Sequence, residues 1–271
     1  MIESLEEPED IHSSIHQARK NMKMMRAVLR LIRFQLPGKI YNRENKFYRD
    51  VARRLSLARD LTAMTETIDK LTSTKRKQST ENSLIQIKDE ILSSRKNYTQ
   101  EHQKLILNSA SLLKDHSPIN EELEWDEDYF RNLLKGLGKI YRQAYKYQQK
   151  CSQHNTDERM HEYRKKVKYL RYHLTILKNM WPKMVVAWEN ELNRLTDFLG
   201  DANDIVVLSS HQKKIHKNSM DSQTKAVLER RKSRCHREAL ALGAKLFAEK
   251  PGPFKKRIEV YLQEWEAIGN V

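Results

Sequence analysis

Apolar residues early in the chain, Ile11, Ile15, Ala18, Met22, Met25, Leu29 and Ile32, recur alternately four and three positions apart. That spacing draws one stripe along an α-helix, the pattern of a bundle seam. Met160, Tyr163, Val167, Leu170, Leu174 and Leu177 repeat it in the second half. At this spacing the Met and Tyr members read as core rather than as a cofactor box. Helices are predicted over 8–36, 41–54, 57–71, 81–114, 126–151, 157–180, 185–198, 202–217, 222–247 and 253–265. Breaks fall at Leu36-Pro37-Gly38, Ser117-Pro118, Trp181-Pro182, Leu199-Gly200 and Lys250-Pro251-Gly252-Pro253, where Gly and Pro interrupt the pattern. The polar stretch from Thr72 to Thr80 reads as a loop. Seven Gly and six Pro in 271 residues give strands too little punctuation, so the predicted class is all-α.

The two seams belong to a longer repeat. HQARKNMKMMR at 16–26 aligns without gaps on HEYRKKVKYLR at 161–171, an offset of 145. LSLARDLTAM at 55–64 aligns on LGDANDIVVL at 199–208, an offset of 144 that pairs Asp60 with Asp204. Two motifs in one order at nearly one offset indicate a duplication, with the halves joined near 152–157.

Shifting each seam by one residue reveals a second pattern. The first helix then reads His12, His16, Arg19, Lys23, Arg26, Arg30 and Arg33, and the second reads His161, Arg164, Lys168 and Arg171, followed by Thr175 and Lys178. One residue is about 100° of helix rotation, so a cationic stripe runs beside each buried seam. Like charges three and four positions apart repel, and few acids lie nearby to offset them. A solvated face normally mixes signs, whereas these stripes are almost purely positive and occur twice. They read as anion-binding faces. Lys165 and Tyr172 widen the second face, and Lys166 points away from it.

Charge extends the picture to the whole chain. The formal net charge is +15, from 51 Lys and Arg against 36 Asp and Glu. The excess is shared, with 28 basic against 21 acidic residues up to 150 and 23 against 15 beyond. Such a surplus favours polyanionic partners without choosing among nucleic acid, acidic membrane and polyphosphate. The start MIESLEEPED is acidic and unlike a signal peptide, and no apolar run reaches the roughly 18 residues of a membrane span. Only Cys151 and Cys235 are present, with no CxxC pair, which argues against disulfide and zinc frameworks. A cytoplasmic location is expected.

The motifs His16-x-x-Arg19-Lys20-x-x-Lys23-x-x-Arg26 and His161-x-x-Arg164-Lys165-x-x-Lys168-x-x-Arg171-Tyr172 resemble those of the CHAD family, the conserved histidine α-helical domain. Leu55-x-x-Ala58-Arg59-Asp60 and Leu199-Gly200-x-x-Asn203-Asp204 support the resemblance, which runs along essentially the whole chain. It implies a single domain over 1–271 made of two four-helix bundles, 8–151 and 157–271, related by a pseudo-twofold axis around a basic central groove or pore. Members of that family bind inorganic polyphosphate, associate with polyphosphate granules, and occur beside or fused to triphosphate tunnel enzymes. The family pattern further implies basic residues and a histidine on a later helix of each half, here Arg95, Lys96 and His102, then Arg231, Lys232 and His236. The halves differ where Ser56 faces Gly200, Arg59 faces Asn203 and Ala27 faces Tyr172. Arg59 is a candidate phosphate contact without a counterpart.

The expected function is polyphosphate binding by His16, Arg19, Lys20, Lys23, Arg26, Arg30, Arg59, Arg95, His102, His161, Arg164, Lys165, Lys168, Arg171, Tyr172, Arg231, Lys232 and His236. The expected setting is a polyphosphate granule or an accessory role, with granule proteins or a triphosphate tunnel enzyme as candidate partners. No catalytic residue, metal or cofactor is assigned. Arg offers bidentate contacts and Lys point charges, and protonated histidines add donors that favour binding at mildly acidic pH. Asp60 and Asp204 read as structural carboxylates that pair with an arginine of the basic helix.

Two other classes remain open. A nucleic-acid binder fits the pI and the tyrosines interleaved with cations, though no recognised reading motif is present. A phosphohistidine phosphotransfer protein could use His161 beside Lys165, yet no Gly-rich phosphate loop or Mg²⁺ carboxylate set accompanies it. His12 and His16 stand i,i+4 but lack a third metal ligand in sequence. The acidic run EELEWDED at 121–128 reads as a solvated helix start, with shielding of the basic groove or a partner contact as alternatives.

Overall fold

Thr156 opens the second basic helix: its hydroxyl accepts from the backbone N–H of Arg159 at 3.4 Å, and Asp157 and Glu158 complement the positive end of the helix dipole. The structure, a computed structural model, describes residue 5 and residues 10–73, 78–97, 99–116, 128–215 and 220–269. Among them it contains ten α-helices and no strand. These are α1 (Ile11–Leu31), α2 (Gly38–Arg54), α3 (Ser56–Thr72), α4 (Gln78–Asn97), α5 (Thr99–Lys114), α6 (Tyr129–Gln153), α7 (Asp157–Ile176), α8 (Pro182–Ile215), α9 (Ser222–Leu246) and α10 (Pro251–Ala267). A 3₁₀ turn, Lys178–Met180, precedes α8. No helix among the described residues is long and apolar enough to cross a membrane.

The predicted breaks at Pro37-Gly38, Trp181-Pro182 and Pro251 coincide with helix starts. The break at Leu199-Gly200 does not exist: α8 runs unbroken for 34 residues through both. A single Gly lowers helix propensity by about 1 kcal/mol, which packing on both sides of the residue can override. Ser117-Pro118 and most of EELEWDED lie outside the described residues.

The chain forms two compact units that do not follow the sequence halves. The first comprises residues 1–23, 47–118 and 201–233, and the second 24–46, 119–200 and 234–271. The division falls inside α1, α2, α8 and α9, so each unit draws on both halves. In the first unit, Ile15, Ala18 and Met22 of α1 pack with Val51, Leu55 and Ile106. A separate cluster joins Leu61 and Met64 of α3 to Ile205 and Leu208 of α8, residues that the repeat pairs at offset 144.

The second unit holds the largest core. α6 and α7 pack as a hairpin across residues 154–156, and α10 closes against α6. Tyr141 is fully buried, stacks on Phe254 with centroids 3.6 Å apart, and donates to the Glu249 carbonyl at 2.8 Å. On α7 the seam residues Met160, Tyr163, Val167, Leu170 and Leu174 are all buried, as their spacing predicts. On α1 the seam fails at one place: Met25 is exposed, while Ala27 and Leu31 are buried on another face. Past Lys23 the helix belongs to the second unit, and a new set of neighbours claims that face.

Candidate anion-binding site

In the second unit the basic side chains of α1 and α7 are fastened one by one. Arg26 donates to Asn45 Oδ1 at 3.1 Å. Arg30 donates to the Arg26 carbonyl at 2.5 Å and lies 4.1 Å above the Tyr169 ring. Arg33 lies 4.1 Å above Tyr41. Arg171 donates to Asn193 Oδ1 and sits 5.1 Å from the Tyr172 ring centroid. At Arg30, Arg33 and Arg171 an amide, a carbonyl and aromatic faces fix the guanidinium's orientation without cancelling its charge. Asn45, Asn193, Tyr41 and Tyr169 carry no motif, and only proximity in the fold reveals their part.

Arg164 lies against Gly200, where a Cβ would stand 3.3 Å from one guanidinium nitrogen. Lys165 bonds Glu162, and Lys166 stands 4.0 Å from the other oxygen of the same carboxylate. Lys166 points away from the stripe, as its helix position predicts, but its side chain is half-buried and feels the charge of Arg30 of α1. Burial pushes its pKa below the usual lysine range, Glu162 opposes this, and Arg30 and Lys165 add to it. His161 is exposed and Lys168 half-buried.

Tyr172 is buried at 4% exposure and cannot widen the surface as expected. The last turns of α7 are covered on several sides, since His173 and Leu174 are buried as well. His173, fully buried, donates from Nε2 to the Ala27 carbonyl at 2.9 Å, and its Nδ1 finds no partner. The carbonyl is an acceptor only, which assigns the tautomer. Burial is the main force that pushes the His173 pKa down to about 4. His236 is also buried.

In the first unit, His16 and Lys20 are exposed, Lys23 is half-buried, and Arg19 donates to the Ala52 carbonyl. His12 Nδ1 lies 3.3 Å from Thr62 Oγ1. Arg231 and Lys232 both meet acids: Arg231 pairs with Asp201 at 3.3 Å and Lys232 with Glu229 at 3.0 Å. Asp201 also takes Lys70 at 2.9 Å, a bond that raises the Lys70 pKa. Two of these pairs, from Arg231 and Lys70, converge on Asp201, while Asp204 accepts from Asn203 at 3.4 Å. The side chains of Arg59, Arg95, Lys96 and His102 lie outside the described residues.

Ten helices among the described residues, two of them basic and of matching sequence, define an all-α protein. The chain belongs to the CHAD domain family, whose model matches residues 3–213. The match stops short of α9 and α10, although Ala239 and Phe254 from these helices complete the core of the second unit. No curated protein and no solved structure matches the chain.

Proposed function

We propose that the chain binds inorganic polyphosphate along the basic faces of α1 and α7, as a granule-associated or accessory module without catalysis. One observation carries this reading: Arg30, Arg33 and Arg171 are each held by a neutral partner, so the guanidiniums are aimed but not neutralised. Polyphosphate repeats one charged group at short intervals, which suits a row of cations at helical spacing. Family membership supports the same ligand class. The pseudo-twofold arrangement with a basic groove belongs to the proposal too. It is supported by the repeat-paired residues that share the Leu61, Met64, Ile205 and Leu208 core.

The test is titration of the full chain with long-chain polyphosphate over a series of salt concentrations. Affinity should fall steeply with salt as counterions released on binding are restored. Replacing Arg164, Lys168 and Arg171 together by Ala should weaken binding by at least about tenfold. Displacement of polyphosphate by duplex DNA or RNA at equal phosphate concentration overturns the proposal in favour of nucleic acid.

A further inference from the structure

Glu162 offers one carboxylate to two adjacent ammonium groups: Lys165 Nζ bonds Oε1, and Lys166 Nζ stands 4.0 Å from Oε2. Tyr169 projects from the same flank of α7, one turn further on, and carries the Arg30 guanidinium 4.1 Å above its ring. Two cations of α7 therefore share a single internal anion, and the charge of Arg30 from α1 acts on Lys166 beside them. Lys165 adjoins the stripe of His161, Arg164, Lys168 and Arg171, whereas Lys166 is rotated about 160° from Lys168 and extends the positive surface around the helix.

A solvated charge run has no reason to bury its members, yet only 22% of the Lys166 side chain is exposed. Cations held together under partial burial raise the energy of the fold unless an anion sits among them. Glu162 meets that need with a single charge. Burial works against its ionised form, but the bond to Lys165 and the charges of Lys165 and Lys166 outweigh it and hold the carboxyl below its usual range. A phosphoryl group would bring close to two charges and three acceptor oxygens to the same place.

We propose that Lys165, Lys166 and Arg30, over Tyr169, form a subsite for a phosphoryl dianion, and that Glu162 occupies it as a tethered competitor which the ligand displaces. The inference rests on reading the basic helices as anion-binding. The subsite occurs once. At the repeat offset of 145, Asn21 stands for Lys166, Met24 for Tyr169 and Thr175 for Arg30. Thr175 gives its hydroxyl to the Arg171 carbonyl and to Glu189. The two halves of the chain would therefore hold a phosphate polymer unequally, with its firmest grip at this point.

The experiment titrates the full chain with inorganic pyrophosphate by calorimetry, using Glu162→Gln, Lys166→Met, the double variant and Glu191→Gln. Glu191 pairs with Arg194 elsewhere in the second unit and controls for net charge. Glu162→Gln should tighten pyrophosphate binding about threefold, the scale of one exposed ion pair released. Lys166→Met should weaken it about tenfold. In the double variant the gain from Glu162→Gln should shrink but not vanish, since Glu162 also occupies Lys165. If Glu162→Gln tightens binding no more than Glu191→Gln, the subsite is refuted even if Lys166→Met proves unstable. Failure of the natural chain to bind long-chain polyphosphate would remove the proposed function, while these pyrophosphate titrations would still decide the subsite.

Discussion

Gly200 gives Arg164 its seat: a Cβ at this position would stand 3.3 Å from one guanidinium nitrogen and 3.6 Å from another. The glycine lies inside α8, far from either helix end, and no turn or left-handed backbone requires it there. Its use is the room it leaves across the helix interface. The matching residue of the first half is Ser56, which starts α3 and donates to the Arg53 carbonyl at 2.7 Å.

Gly200→Ala should therefore separate stability from binding. The helix gains about 1 kcal/mol of propensity, while the far end of Arg164 shifts by a few tenths of an ångström. Scanning calorimetry is expected to show a higher melting temperature, and polyphosphate titration an affinity about threefold lower. A variant that gains stability and binds unchanged would show that the seat has no part in binding.

Gly136 faces a harder limit. A Cβ there would stand 2.0 Å from the Leu31 carbonyl oxygen, a backbone atom that no rotamer change can move. Gly136→Ala should cost at least about 3 kcal/mol in urea unfolding, because α6 and the last turn of α1 must separate.

His173 should make the fold acid-sensitive. Its folded pKa of about 4 lies below the unfolded value near 6.5, so the unfolded chain binds more protons between those limits. The contribution is fully present above pH 6.5 and is lost as pH falls toward 4, at about 1.4 kcal/mol per pH unit. Denaturation midpoints taken from pH 7 to pH 5 should decline, and His173→Gln, which can keep the donor to Ala27, should flatten that decline.

The exposed histidines call for an opposite trend in binding. A phosphate chain beside His16 and His161 favours their protonated forms, so affinity should rise as pH falls from 8 to 6. An affinity that stays flat over this range in the natural chain, or that rises equally in a double His→Ala variant, assigns both histidines a structural role.

Much of this molecule is legible in its sequence because helices expose their own period. The seam of α7 is buried as its spacing predicts, and α8 and α10 start at Pro182 and Pro251, inside the breaks that proline marks in the sequence. What a single helix cannot reveal is a second neighbour. Tyr172 and His173 lie off the seam by periodicity, yet both are buried. Lys166 sits with Glu162 and Lys165 on its own helix, but the charge of Arg30, 136 positions earlier, joins them only in the fold. Gly200 reads as a stop because its purpose is a side chain on another helix.

The interleaving of the two units bears on how the protein is made. Leu31 shares a core with Phe254, Ile258 and Leu262, so one of the first helices to be synthesised must wait for the last described one before that core can close. Contacts so distant in sequence slow folding and prolong exposure of apolar surface. Neither unit can be excised as a continuous fragment. A nascent chain halted before α10 is expected to remain a client of chaperones, with α6 and α7 paired but unsealed.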